Sequence, residues 1–329
     1  MRILFLYDEE ASFVRADLKI LERHADVTAI RCHAGIPMSS IANAMSKHDL
    51  AFSWFGLGYA LRAAVVGLFL TRPTIIAGGG WDVVDMPEIG YGATRSTYGQ
   101  VRAAYTFGLT TKVLAFSDWS AKQILRIAPR AQVETVYLGV DTDRWHPSTS
   151  KEEMVLTVGG VVQGNLRRKG LKTFAQTSRL VPNARFVLVG RQDHEVARYL
   201  KSLGGSNLEL LGEIDDDALT ALAGHAKVYV QASYNEGFGL ALAEAMSAGC
   251  IPVVTDAGAL PEVVGDCGHY VPFGDAHATA EAVQRALSLG DGAAARRRIE
   301  EMYRLQTREI ALWRVITRLA QSRGWSRGA

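Results

Sequence analysis

The sequence predicts an α/β protein made of two doubly wound, Rossmann-like domains. Two observations carry this. Short apolar runs alternate with helical stretches along the chain, a rhythm that belongs to parallel sheets covered by helices. The length, 329 residues, suits two domains of about 150 residues each. In the first half, strands are expected at 3–6, 26–31, 50–53, 74–77, 113–116 and 133–137. Helices are expected at 13–24, 39–46, 59–70, 97–108 and 119–127. In the second half, strands are expected at 155–158, 185–189, 208–211, 228–231, 251–254 and 269–271. The polar, proline-containing stretch Trp145-His-Pro-Ser-Thr-Ser-Lys151 reads as the linker.

Composition excludes several classes. A hydrophobic share of 48% fills two ordinary cores, and a net charge of +2 argues against wholesale nucleic-acid binding. Cys32, Cys250 and Cys267 are too few and too scattered for a disulfide framework or a zinc site, which fits a reducing compartment. The first apolar run, from Ile3 to Leu6, is too short for a signal peptide and reads as a buried strand. The apolar region 59–77 is broken by Arg62 and by Arg72-Pro73, short of the roughly 20 apolar residues a membrane span needs. These readings together predict a cytoplasmic protein, with peripheral contact to the inner face of a membrane left open. There is no Walker loop and no Gly-x-Ser-x-Gly elbow. The glycines at 159, 160 and 164 do not make the dinucleotide fingerprint G-x-G-x-x-G.

The most informative stretch is Asn235-Glu-Gly-Phe-Gly-Leu-Ala-Leu-Ala-Glu-Ala-Met-Ser-Ala-Gly-Cys250. It reads as a glycine-rich turn followed by a buried helix, set between two strands. Residues 240–248 are apolar almost all round except Glu244, and a buried carboxylate costs several kcal/mol unless something compensates it. Glu236 lies eight residues earlier. If much of the interval is helical, the two carboxylates are about 12 Å apart. Between them lies a helix N-terminus, a ready anion site. Carboxylate, anion site and carboxylate form a template for hexose hydroxyls, diphosphate and ribose hydroxyls.

Glu236 and Glu244 resemble the E-x7-E motif of retaining glycosyltransferases of the glycosyltransferase-B fold, family 4. Val155-Leu-Thr-Val-Gly-Gly160 followed by Arg168-Lys169-Gly170-Leu171 is similar to that family's strand and RKG loop. Phe186-Val-Leu-Val-Gly190, Leu211-Gly-Glu-Ile214 and Tyr137-Leu-Gly-Val-Asp-Thr-Asp-Arg-Trp-His-Pro147 resemble further segments in the same order. The resemblance is strongest from about residue 135 to 275. It implies that Lys169 meets the distal phosphate, Glu236 the hexose hydroxyls and Glu244 the ribose. It also implies that Gly237, Phe238, Gly239 and Leu240 act through backbone N–H groups, and Ile214 through its backbone on the base. The family's usual phosphate arginine falls at Gly160 here, so Arg168 or Arg167 is expected to replace it. Its usual His-Gly-x-Asp falls at Gly79 to Asp82. Asp82 is then a contact to the transferred sugar or acceptor, or a turn cap. Ser12 and Arg15 follow the first strand and either bind the acceptor or simply start a helix.

Two acidic runs, Asp141-Thr-Asp143 and Asp215-Asp216-Asp217, could hold a divalent cation on a diphosphate. Helix and turn capping explains them more simply, so no essential metal and no cofactor is expected. From Arg296 to Ala329 nine arginines face three glutamates. Ile310, Trp313, Ile316, Leu319 and Ala320 keep helical spacing there. This segment reads as a packing helix with a solvated basic face or, alternatively, as a surface drawn to an anionic membrane or acceptor.

The sequence therefore predicts residues 1–147 as an acceptor-side domain and 148–308 as a nucleotide-sugar-binding domain. Residues 309–329 form a basic helix expected to cross back to the first. The expected function is metal-independent, retaining transfer of a hexosyl unit from a nucleoside-diphosphate sugar to a hydroxyl acceptor, whether saccharide, lipid or small metabolite. The alternatives are a sugar-nucleotide epimerase of the same fold and a non-catalytic sugar-nucleotide-binding protein.

Overall fold

The computed structural model describes residues 1–33 and 35–322. The chain divides into two compact units. One holds Met1–Gly139 and resumes at Gln306; the other is Val140–Leu305.

The first unit alternates strand and helix: β1 (Arg2–Tyr7), α1 (Ser12–Glu22), β2 (Asp26–Arg31), α2 (Met38–Ser46), β3 (Leu50–Trp54), α3 (Gly58–Phe69), β4 (Thr74–Gly78), α4 (Thr97–Leu109), β5 (Lys112–Ala115), α5 (Asp118–Ile127) and β6 (Val133–Thr135). Its sheet has the order β2-β1-β3-β4-β5-β6, and every pairing is parallel. β3 and β4 are buried along their whole length. That is why Leu-Ala-Phe-Ser-Trp and Thr-Ile-Ile-Ala-Gly read as nearly continuous apolar runs rather than alternating ones. Ser96 and Ser117 stop fraying of α4 and α5 by accepting from Gly99 N and Ser120 N, which satisfies first-turn donors.

The second unit repeats the plan: β7 (Glu152–Val158), α6 (Gln163–Arg168), α7 (Leu171–Leu180), β8 (Arg185–Val189), α8 (His194–Leu203), β9 (Leu208–Gly212), α9 (Asp216–His225), β10 (Ala226–Gln231), α10 (Leu240–Ser247), β11 (Ile251–Thr255), α11 (Leu260–Val264), β12 (His269–Val271), α12 (Ala276–Ser288) and α13 (Ala293–Met302). Its parallel sheet has the order β12-β11-β10-β7-β8-β9. The order reverses between β7 and β10. In open sheets of this kind ligands bind outside the carboxyl ends of the strands at such a reversal. All twelve strands expected from the sequence are present.

The linker expectation is corrected. Trp145–Lys151 is not a free tether but part of the second unit's packing. Trp145 is buried. Its carbonyl accepts from Ser247 Oγ (2.7 Å) and Arg296 Nη1 (3.0 Å). Lys151 Nζ reaches the carbonyls of Ala226 (2.8 Å) and Ala248 (2.6 Å). The division falls earlier than residue 147. Val140 N donates to Tyr303 O (2.8 Å) and Leu305 N to Val140 O (2.9 Å), which ties Val140 to the second unit.

The last helix, α14 (Leu305–Ser322), returns to the first unit. A buried ion pair fixes it. Arg308 Nε and Nη2 each donate to an oxygen of Asp17 on α1 at 2.6 Å. Arg308 Nη1 reaches the carbonyls of Val136 (2.9 Å) and Tyr137 (2.8 Å). Asp17 is 0% exposed and Arg308 4%. Burial pushes the Asp17 carboxyl upward against the pull of the Arg308 charge. Arg318 pairs with Glu134 (2.6 Å), and Glu309 with Arg23 (2.6 Å). The solvated basic face therefore does not describe Arg308, which is an internal anchor. Arg323 and Arg327 lie outside the described residues.

Removing one partner of such a pair strands a buried charge, at about 3–5 kcal/mol. Arg308→Ala is expected to lower stability by that amount in denaturant unfolding. The double variant Asp17→Asn/Arg308→Met is expected to recover most of the loss, because no charge is then left unpaired.

Candidate functional site

The site residues of the second unit gather where its strand order reverses. β7 ends in Val158-Gly159-Gly160, and β10 runs out through Gln231-Ala-Ser-Tyr-Asn-Glu236. Glu236 is held by one of its two oxygens. Oε1 accepts from Lys169 Nζ (2.7 Å), Ser233 Oγ (2.8 Å) and Gln231 Nε2 (2.9 Å). Its side chain keeps 11% exposure, and Oε2 takes no protein hydrogen bond among the described residues. Burial works to raise the Glu236 carboxyl, but the Lys169 and Arg168 charges and the hydrogen bonds from Lys169 and Ser233 outweigh it. The carboxyl is held below the usual range. Glu236 is thus a fixed carboxylate with one free oxygen.

Lys169 is delivered by a turn that only glycine permits. Gly170 has φ +64°, and a Cβ there would lie 1.9 Å from the Ala232 carbonyl oxygen. Close packing of the 169–170 turn on the end of β10 puts the ammonium on Glu236. Just before it, Asn165 makes a clamp that sequence reading missed. Its Nδ2 donates to Gly160 O (2.7 Å), and its Oδ1 accepts from Arg168 Nε (3.1 Å) and Nη2 (2.7 Å). Arg168 is therefore held against the strand end where the phosphate arginine was missing, and its charge acts on Glu236. Arg167 instead lies exposed over the Tyr234 ring, 6.0 Å from its centroid.

Gly239 (φ +91°) starts α10 with no side-chain cap, so the helix presents first-turn N–H groups that lack an internal acceptor. Gly237 and Phe238 lead into it, and Phe238 is buried with its ring edge-on to Tyr303 (5.5 Å). Leu240 is the first helical residue. The interval from Glu236 to Glu244 is thus half turn and half helix, not helical throughout. Glu244 has no hydrogen bond or ion pair among the described residues. Burial pushes its carboxyl up to about 8, helped by the Asp216 charge and opposed by Arg144. Ile214 follows β9 in the loop after Gly212 and is partly buried.

The two acidic runs have structural duties. Asp141 Oδ1 accepts from Asp143 N (3.2 Å) and Arg144 N (3.1 Å). Asp215 caps α9 through Ala218 N (2.8 Å). Asp217 pairs with Arg144 (2.9 Å).

In the first unit, Asp82 is corrected from a ligand contact to a tie between loops. It is 0% exposed. Oδ2 accepts from Gly56 N (2.9 Å), and Oδ1 from Gly79 N (3.1 Å) and Gly80 N (2.9 Å). It thereby joins the carboxyl ends of β3 and β4. Burial raises its carboxyl, against the opposing pull of these N–H groups. Gly79 has φ +135°, and a Cβ there would lie 2.5 Å from Ser120 Cβ, so no histidine fits that position. Ser12 opens α1 and is exposed, without capping the helix. Arg15 is exposed and donates to Glu10 O (3.0 Å).

Two doubly wound units with parallel six-stranded sheets have the glycosyltransferase-B fold. Residues 152–289 match the family described as Glycosyl transferases group 1. The chain is 37% identical over 106 residues to the phosphatidyl-myo-inositol mannosyltransferase of Mycobacterium leprae, covering 31% of this chain and 28% of that protein. It is 30% identical over 176 residues to the O-antigen chain mannosyltransferase B of Escherichia coli, covering 47% and 46%. The chain spans less than half the length of these relatives. Among solved structures, sucrose-phosphate synthase of Thermosynechococcus elongatus superposes with a TM-score of 0.79 at 18% identity, covering 98% of this chain and 100% of that one. Anabaena HepE, in a complex with UDP and glucose, gives 0.78 at 15%, covering 96% and 99%. At these identities the structural likeness carries the fold.

Glu244 supplies a pH test. Below its unfolded value near 4.5 both states hold the proton. Between there and about 8 only the folded state keeps it, so this group's contribution to stability falls as pH rises. Glu244→Gln is expected to match the native protein near pH 4 and to exceed it by on the order of 2 kcal/mol above pH 8. Urea unfolding across that range checks the slope.

Proposed function

We propose that this protein is a retaining glycosyltransferase that moves a hexosyl unit from a nucleoside-diphosphate sugar to a hydroxyl acceptor without an essential metal. The observation that carries the reading is the half-saturated Glu236 beside Lys169, followed one turn and one helix start later by the unpaired Glu244. Oε2 of Glu236 accepts from hexose hydroxyls. Lys169, with Arg168 held by Asn165, meets the diphosphate together with the N–H groups of residues 237–240. Glu244 accepts from the ribose, and the backbone at Ile214 meets the base. The UDP and glucose bound to Anabaena HepE support the donor class. Relatives named for phosphatidyl-inositol substrates support a lipid-linked hydroxyl among the acceptors considered.

In the reaction, the bond from the anomeric carbon to the phosphate oxygen breaks, and the electron pair leaves with the diphosphate. The acceptor oxygen bonds to the same face, and its proton passes to the departing phosphate. Lys169 and Arg168 meet negative charge that grows as the bond breaks, so they favour the transition state over the ground state. Glu236 is engaged by three donors at Oε1, and we assign it orientation of the sugar rather than nucleophilic attack.

Thermal unfolding with uridine, guanosine and adenosine diphosphates and their hexose derivatives tests the donor. A ligand at 100 times its dissociation constant adds about 2.7 kcal/mol. One base is expected to shift the transition, and no shift with any of them would overturn the reading. Lys169→Ala is expected to lower turnover mainly, and Asn165→Ala to weaken diphosphate binding by about tenfold, the loss of roughly one charge-assisted contact. Glu244→Ala is expected to weaken nucleotide binding. Ribose hydroxyls favour the ionised Glu244, so native affinity is expected to rise from pH 7 to 9, while Glu244→Gln stays flat by calorimetry.

A further inference from the structure

One helical layer of the first unit has a composition unlike the rest of the surface. α2 packs on α3 and α3 on α4. Over Met38–Ser46, Gly58–Phe69 and Thr97–Leu109 the only charged side chains are Arg62 and Arg102. There is no acid among them. A water-facing surface normally carries about a quarter to a third charged residues of both signs.

Large apolar and aromatic side chains stand out from this layer. Tyr98, Val101 and Tyr105 follow one another at helical spacing on α4, with Tyr98 76% and Tyr105 60% exposed. α3 ends in Leu68 and Phe69, the latter 84% exposed, and Leu70 follows. Met38 opens α2, also exposed. An exposed apolar patch of this kind marks an interaction surface.

The cations point to what covers it. Arg62 and Arg102 within the helices, with Arg72 and Arg95 at their ends, make no ion pair among the described residues. Arg102 Nε is buried without any hydrogen-bond partner. Other arginines do find acids: Arg23 pairs with Glu309, Arg185 with Glu209, Arg296 with Glu300, Arg308 with Asp17 and Arg318 with Glu134. The acids nearest in sequence are Asp49, which follows α2 and is engaged by Arg2 N (2.8 Å), and Asp85 and Glu88 in the loop between β4 and α4. The layer thus combines aromatic anchors, apolar tips and unpaired arginines that can reach toward phosphates, the chemistry that seats helices in a headgroup region.

We infer that the α2–α3–α4 face of the first unit docks on an anionic lipid bilayer, with Phe69, Tyr98 and Tyr105 at the headgroup level and the four arginines on lipid phosphates. This surface is separate from the arginines of α14 and stands whether or not the donor assignment holds.

The test is co-sedimentation of the full chain with vesicles of neutral phosphatidylcholine alone and with about one third phosphatidylglycerol. Binding is expected only to the anionic vesicles and is expected to weaken with salt. Phe69→Glu/Tyr105→Glu, both at exposed positions, is expected to cut the partition coefficient at least about tenfold with an unchanged melting curve. Arg62→Gln/Arg72→Gln is expected to do the same without touching an aromatic. Arg314→Glu on α14 is expected to leave binding intact. No binding to anionic vesicles, or loss only with Arg314→Glu, would overturn the inference. So would a dimer without vesicles that Phe69→Glu/Tyr105→Glu turns into monomer, because the face would then be covered by a second copy.

Discussion

A carboxylate buried at the carboxyl end of a parallel sheet must be neutralised, and the contact of Lys169 with Glu236 at 2.7 Å meets that need. Much of the second unit's local geometry follows from it. The lysine reaches the carboxylate because Gly170 lets its turn press on the carbonyl of Ala232. The carboxylate stays in place because Gln231 and Ser233, the last polar residues of the β10 edge, share its Oε1. Behind it, Thr255 Oγ1 donates to Ser233 O (2.6 Å) and Ala259 N to Glu236 O (2.9 Å). The loop after β11 therefore supports the same residue from below. A position assembled from four segments in this way is rigid before any ligand arrives, which is what orientation of a sugar requires.

The two glutamates of the motif differ in electrostatic state although they sit eight residues apart. Glu236 gains cations and hydrogen bonds and is held ionised. Glu244 has no hydrogen bond or ion pair among the described residues, and burial drives it toward the neutral acid against the weaker pull of Arg144. Two carboxylates whose surroundings push them apart usually mark two roles. An acid kept without a partner costs stability, and under the proposed reading ribose hydroxyls supply the missing partners.

Legibility in the sequence followed the range of the interaction. Strands such as Thr74–Gly78 and Ile251–Thr255 announce themselves because both faces are buried and the run is apolar. Glu244 was visible because a carboxylate in an apolar helix demands a partner, Glu236 by its place before the Gly-Phe-Gly turn, and Lys169 by the resemblance of its loop. Gln231 carries a signal of the same kind as Glu244, an amide at the end of the apolar run Val-Tyr-Val. Asn165 carried none, since its partners Gly160 and Arg168 are set by how α6 folds back on the strand end. Arg308 misled because an arginine in a basic segment looks solvated, and its partner Asp17 lies on a helix 291 positions away. Asp82 misled for the opposite reason. A carboxylate after a strand looks available, but its oxygens are taken by the backbone of two loops.

The central claim is that Lys169 and Arg168 make the end of β7 and β10 a diphosphate site. Calorimetric affinities of the nucleoside mono- and diphosphate of the best base, for the native protein and for Lys169→Ala, test it most directly. The account predicts a preference for the diphosphate of at least about tenfold, one charge-assisted contact's worth, that shrinks toward unity in the variant. An equal preference in both proteins would contradict it, because the distal phosphate would then be held somewhere else.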